Sequence, residues 1–166
     1  MHTLILPTGP PGSGKSTLTD GLQQFLHAIQ RPCSVANLDP ANDNIAYAPS
    51  FDVRDLVTIE DVMEREDLGP NGGVLWAMEE LEANFDWLEQ RLEECEETVV
   101  LDLPGQPELM VHHLSLPRIL QKLERLGYRV WLPPSPKRIR PRCTVLALLI
   151  DCCSRSWSFN SWTQSY

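Results

Sequence analysis

His2-Thr3-Leu4-Ile5-Leu6 runs almost directly into Gly9-Pro10-Pro11-Gly12-Ser13-Gly14-Lys15-Ser16-Thr17. The first stretch is short and apolar, as a buried strand should be. The second is a complete phosphate-binding loop of the form G-x-x-x-x-G-K-[ST]. After it, Leu18, Leu22, Phe25, Leu26 and Ile29 recur at helical spacing. Phosphate binding requires strand, loop and helix in that order. Glycines let backbone N–H groups turn inward around phosphate oxygens, and the helix N-terminus adds its partial positive charge. Lys15 is then placed to reach the β- and γ-phosphates, and the Ser16 hydroxyl to hold Mg²⁺. Gly12, Ser13, Gly14 and Thr17 complete the cradle. The alternative, a chance glycine turn before a helix, does not account for Lys15-Ser16 falling in register.

Outward from the loop, apolar runs alternate with helical patterns. Cys33 to Leu38 reads as a second strand, so Asp39 sits just past a strand end, where parallel α/β sheets gather ligands. Asp39 to Asn44 is turn chemistry. Thr58-Ile59-Glu60-Asp61 has the form of a helix start, and Leu68-Gly69-Pro70-Asn71-Gly72-Gly73 ends that helix in a turn. Val74, Met78, Leu81, Phe85, Leu88 and Leu92 then form one apolar stripe, predicting a single long helix packed on the sheet. A partner seam on this helix would need Trp76 and Trp87 exposed outside the stripe. Thr98 to Leu101 is a third strand, and a helix is predicted from about Gln106 to Arg125, interrupted by Pro117 and stopped at Gly127. The order predicts an α/β fold with a mostly parallel sheet between helix layers.

The third strand ends in Asp102-Leu103-Pro104-Gly105-Gln106. A carboxylate at such a strand tip can reach the Mg²⁺ shell opposite the phosphate loop. Gly105 would let a backbone N–H approach the γ-phosphate, and Gln106 could orient an attacking water. Alone, the motif is more often a turn. Paired with the loop at Lys15, it reads as the second half of a nucleotide site.

These motifs and their order resemble the GPN-loop GTPases, and in particular a eukaryotic branch of that family. The resemblance is carried by the phosphate loop, by Asn37-Leu38-Asp39-Pro40-Ala41-Asn42, by Leu68 to Gly73, and by Asp102 to Glu108. The stretch from Trp76 to Leu88 belongs with it, and together it covers roughly residues 3–128. It implies a dimeric, P-loop NTPase three-layer fold that binds GTP and Mg²⁺ and hydrolyses the γ-phosphate. It assigns Ser16, Asp39 and Asp102 to the metal, and Gln106 and Glu108 to the hydrolytic water. Gly69, Pro70 and Asn71 would form the loop that enters the partner's site, with Asn71 acting in trans. It further implies homodimers or heterodimers with other GPN-loop GTPases, a role with RNA polymerase II assembly factors, and a cytoplasmic protein that shuttles to the nucleus.

Beyond Tyr128 the character of the chain changes. Residues 129–166 hold six basic residues against one acid, whereas residues 1–128 hold eight against twenty-two. The acidic part disfavours direct nucleic-acid binding. Trp131 to Arg142 is basic and proline-rich and reads as a linker over 129–143; residues 144–166 read as an atypical tail that could add one edge strand. The family's next core strand is expected to be missing, and so is its [NST]-K-x-D guanine motif, since Lys15, Lys122 and Lys137 are the only lysines and none has Asp two residues on. Five cysteines without a C-x-x-C pair read as free thiols in a reducing compartment. The run Val145–Ile150 is far shorter than the ~20 residues of a membrane span. A competing reading is a non-catalytic subunit that pairs with a full-length relative. A nucleotide kinase is disfavoured, since the arginines from Arg129 to Arg142 lie in a proline-rich stretch rather than a lid helix.

Lys15→Ala is expected to abolish triphosphate binding in calorimetry while leaving the far-UV circular dichroism unchanged. Unaltered affinity would place the phosphate site elsewhere.

Overall fold

The structure is a computed structural model, and it describes residues 2–105 and 113–131. Strand β1 (Thr3–Ile5) leads through the phosphate loop to α1 (Lys15–Ala28) and then to β2 (Ser34–Asn37). After a long loop come β3 (Phe51–Asp52), a 3-10 turn (Val53–Asp55) and three helices: α2 (Ile59–Glu66), α3 (Pro70–Ala83) and α4 (Phe85–Glu93). Strand β4 (Thr98–Asp102), helix α5 (Ser115–Arg125) and strand β5 (Arg129–Trp131) follow. The five strands form one sheet in the order β3-β2-β4-β1-β5, every pair parallel.

Alternation along the strands builds the two faces of the sheet. Leu4, Leu6, Ala36, Val99, Leu101 and Val130 join one buried cluster with α2, α3, α4 and α5. Their neighbours Ile5, Val35 and Val100 join a second cluster with Leu18 and Leu22 of α1. A strand buried on both faces must be apolar at successive positions, which is why these runs show no polar alternation. The expected three-layer α/β architecture is therefore present.

Several elements differ in detail from expectation. The stripe from Val74 to Leu92 is carried by two helices, not one. Asn84 breaks the chain of helical hydrogen bonds; its backbone N–H and its side-chain Nδ2 both donate to the Glu80 carbonyl, each at 2.9 Å. The phase survives the break, since Val74, Met78, Leu81, Leu88 and Leu92 are all buried. Pro117 does not interrupt α5. It occupies the third position, within the first turn, where its missing N–H has no helical partner to lose. Gly69-Pro70-Asn71 is no free turn: Gly69 caps α3 and Pro70 is its first residue, where a φ near that of a helix is already set. The helix start at Thr58 holds, with its Oγ1 accepting from the Asp61 N–H at 3.3 Å.

The largest correction concerns the C-terminal boundary. Arg129–Trp131, assigned above to the linker, form β5 and pair in parallel with β1 through Thr3↔Arg129, Leu4↔Val130 and Ile5↔Trp131. The strand expected to be missing after residue 128 is present. Three residues are too few for periodicity to reveal, and the proline-rich sequence beside them masked the signal. Residues 144–166, with the edge strand considered there, lie outside the described residues.

Trp76 and Trp87 are half-buried, not exposed. The Arg65 guanidinium sits 4.2 Å from the Trp76 ring centre, and Phe51 meets Trp87 edge-on at 5.8 Å. The chain thus partly covers Trp76 and Trp87 itself, so neither meets the condition of exposure set for a partner seam.

Leu88→Ala should cost about 2–5 kcal/mol of unfolding free energy, because Leu88 is fully buried across the Asn84 break. Ile29→Ala, at a largely exposed position, should cost little. Chemical denaturation of both variants checks this; equal small losses would mean that α4 is not docked on the core.

Candidate nucleotide site

The ends of β1, β2 and β4 lie side by side in the sheet, and the phosphate loop, Asp39 and the Asp102–Gly105 segment each leave from one of them. From β1, the loop turns tightly, with the Ser13 N–H donating to the Pro10 carbonyl at 3.1 Å. Gly14 caps α1 with φ of 91°, a left-handed conformation that side chains other than glycine's rarely adopt. Lys15 is the first helical residue and is buried, and the first turn of α1 holds no acid. Gly12 and Thr17 are exposed, Ser13 and Ser16 half-buried. The Ser13 Oγ is buried and has no partner among the described residues. A concave loop of N–H groups at a helix N-terminus, with a lysine beside it, is an anion cradle.

From β4 comes Gly105, and the backbone here is tight against that cradle. A Cβ on Gly105 would lie 2.5 Å from Lys15 Nζ, 2.9 Å from the Pro11 nitrogen and 3.1 Å from the Pro11 Cα. Only glycine allows the two loops this contact. Asp102, at the tip of the same strand, is 1% exposed. Its Oδ2 accepts from the Tyr47 hydroxyl at 2.8 Å, and its Oδ1 is buried with no partner among the described residues.

From β2 comes Asp39, whose Oδ1 accepts from the Ala41 N–H at 3.0 Å. Burial raises the Asp39 carboxyl above its ordinary range; the Ala41 N–H opposes this, Asp102 adds to it and Lys15 opposes it. A half-buried carboxyl whose charge is disfavoured by burial and by a neighbouring carboxylate is a place a cation would relieve. Asn42, three residues on, donates from Nδ2 toward the Ser16 Oγ at 3.5 Å.

A buried brace shapes this strand end. Asn37 is fully buried; its Nδ2 donates to the Asp39 carbonyl at 3.2 Å and to Asp52 Oδ2 at 3.0 Å, and its Oδ1 accepts from the Asp39 N–H at 3.2 Å. Arg54 completes the brace with bonds of 3.0 and 2.6 Å to the two Asp52 oxygens. Burial pushes Asp52 upward, but the Arg54 and Asn37 hydrogen bonds outweigh it and hold the carboxyl below its ordinary range.

The structure therefore brings together Gly12, Ser13, Gly14, Lys15, Ser16, Asp39, Asp102 and Gly105 at the C-terminal ends of the central strands. Gly69, Pro70 and Asn71 stand apart in the chain as the exposed start of α3. Gln106 and Glu108 lie outside the described residues. Sequence reasoning missed Tyr47, Asn42, Asn37 and the Asp52–Arg54 pair. Tyr47 is a lone aromatic in a turn-rich stretch, and that was its one available signal.

Among the described residues no cluster of three or more His, Cys, Asp or Glu side chains could hold a metal alone. The donor set nevertheless fits Mg²⁺, which keeps waters and takes phosphate oxygens while using few protein ligands. Ser16 offers a hydroxyl, and the orphaned Asp102 Oδ1 offers a buried acceptor for a metal-bound water.

Gly105→Ala should lower triphosphate affinity by about tenfold or more, because the Pro11 backbone cannot yield to a methyl group. Calorimetry with wild-type affinity in this variant would show that the two loops separate freely.

Comparison with known proteins agrees with this geometry. A family model described as "Conserved hypothetical ATP binding protein" matches residues 8–132. The chain is similar to GPN-loop GTPase 2 of Danio rerio, 46% identical over 123 residues that cover 74% of this chain and 40% of the relative. It is similar to GPN-loop GTPase 2 of Schizosaccharomyces pombe, 43% identical over 147 residues, covering 86% of this chain and 47% of the relative. The structure resembles the crystal structure of a GTPase in apo form from Pyrococcus abyssi, with TM-score 0.64 and 31% identity, covering 91% of this chain and 62% of that one. The chain spans less than half the length of these curated relatives. With its phosphate loop, its Asp102–Gly105 strand end and its α3 start in the family's order and at this similarity, the chain belongs to the GPN-loop GTPase family.

Proposed function

We propose that this chain binds GTP with Mg²⁺ and hydrolyses the γ-phosphate by attack of water, acting as a dimer. The observation that carries the reading is the close approach of Gly105 to Lys15 and Pro11: it closes the phosphate loop with the strand end that bears Asp102. In phosphoryl transfer there is little covalent work for a protein to do; positioning and charge stabilisation dominate. The loop N–H groups and Lys15 would bind the β- and γ-phosphates and meet the negative charge that grows on them. The Gly105 N–H would approach the γ-phosphate from the opposite side. Mg²⁺, held by Ser16 and through water by Asp102 and Asp39, would supply the remaining charge neutralisation. Gln106 and Glu108 would orient the water.

The relatives are GTPases, while the family description says ATP binding. Phosphate recognition in the described loop is blind to the base, so guanine preference rests on the relatives. By the same route, Asn71 would act on the partner's nucleotide, either in a homodimer or with another GPN-loop GTPase. A place in RNA polymerase II assembly and nuclear import, in a cytoplasmic protein, is the corresponding cellular proposal. The exposed position of Gly69, Pro70 and Asn71 suits a loop that meets a second subunit.

The direct test is calorimetric titration of GTP and of ATP, each with Mg²⁺, followed by phosphate-release assays. Selective GTP binding with turnover supports the proposal. Failure to bind either nucleotide would favour a non-catalytic subunit that pairs with a longer relative. Asn71→Ala should lower turnover without weakening nucleotide binding. Mixed with Lys15→Ala chains, it should give activities that differ from the average of the two homodimers; simple averaging would defeat action in trans.

A further inference from the structure

Tyr47 lies on the loop between β2 and β3, and the chemistry proposed above makes no use of it. It is 5% exposed, and its ring packs with Ile5 of β1, Leu22 of α1, Val35 of β2 and Val100 of β4. A ring enclosed by four elements has little freedom in where its hydroxyl goes. That hydroxyl donates to Asp102 Oδ2 at 2.8 Å. The other oxygen, Oδ1, is buried and has no partner among the described residues. The bond breaks the symmetry of the carboxylate: turning Asp102 to exchange its oxygens would forfeit a charge-assisted hydrogen bond. The loop is itself tied down, since Gln23 Nε2 donates to the Ala48 carbonyl at 3.2 Å. Asn42, earlier on the same loop, approaches the Ser16 Oγ at 3.5 Å. One loop therefore touches both the hydroxyl and the carboxylate assigned to the metal.

We infer that Tyr47 is a positioning residue for the Mg²⁺ site: by holding Oδ2 of Asp102 it reserves Oδ1 for a water in the cation's shell. This rests on the Mg²⁺-dependent nucleotide site proposed above. Groups that orient metal ligands from behind change metal affinity by about tenfold to a hundredfold when removed. Tyr47→Phe deletes the hydroxyl and keeps the ring that the core packs against.

The test uses the full chain and a non-hydrolysable GTP analogue, with nucleotide affinity measured across an Mg²⁺ titration and in EDTA. Tyr47→Phe is expected to weaken the apparent Mg²⁺ affinity about tenfold or more while leaving the EDTA affinity unchanged. In an Asp102→Asn background the same substitution should add little, because its effect runs through that carboxylate. Equal losses with and without Mg²⁺ would overturn the inference and make Tyr47 a packing residue. Wild-type Mg²⁺ affinity in Tyr47→Phe would overturn it as well, while the nucleotide site itself stood. A wild-type chain whose nucleotide affinity ignores Mg²⁺ would defeat the underlying reading, and the inference with it.

Discussion

The parallel pairing of β1 with β4 is the constraint on which the site depends. Thr3, Leu4 and Ile5 lie beside Thr98, Val99 and Val100, so the loops leaving the two strands are neighbours by construction. One loop carries backbone N–H groups and a lysine, the other a carboxylate. Neither is a nucleotide site alone. The sheet brings them together, and the absence of a side chain at residue 105 sets how closely they meet. Ridding that pairing of polar side chains is what makes these strands read as unbroken apolar runs.

The electrostatics of the site follow from its burial. Asp39 and Asp102 share one corner with Lys15, and burial together with the Asp102 charge makes the Asp39 charge more costly. A third carboxylate close by, Asp52, is neutralised by Arg54 and does not compete. The asymmetry matters. A structural pair, satisfied by guanidinium and amide, supports the β2 strand end. The pair left partly unsatisfied faces the phosphate loop. The protein thus separates the carboxylate that holds shape, Asp52, from the two that face the phosphate loop, Asp39 and Asp102.

Much of this was legible in the sequence, and the part that was not has identifiable causes. The phosphate loop, Asp39, Asp102 and Gly105 are local motifs, readable because strand, turn and helix signals adjoin them. The stripe from Val74 to Leu92 gave the right face but the wrong count of helices, because the break at Asn84 is made by a side-chain hydrogen bond that leaves the periodicity intact. Strand β5 was hidden by its brevity and by the prolines that follow it. The roles of Tyr47 and Asn42 could not be foreseen, since each depends on a contact between residues far apart in the chain, and the Asn37–Asp52–Arg54 brace joins two local pairs across 15 positions. Tyr47 and Asp102 are separated by 55 positions, and no spacing rule links them.

The position of β1 in the sheet also has a consequence for how the protein is made. Its two neighbours pair with Thr3 through Thr98 on one side and Arg129 on the other. Of the five strands described, β1 is synthesised first and is among the last to find its partners. Contacts this distant in sequence close slowly, because loop entropy must be lost before they give anything back. Until β4 and β5 have emerged, the phosphate loop hangs from an unpaired, apolar strand, open to association with other chains. Nucleotide recognition, written at the start of the sequence, is completed only near the end of the described fold, and the nascent chain is exposed for the whole interval between.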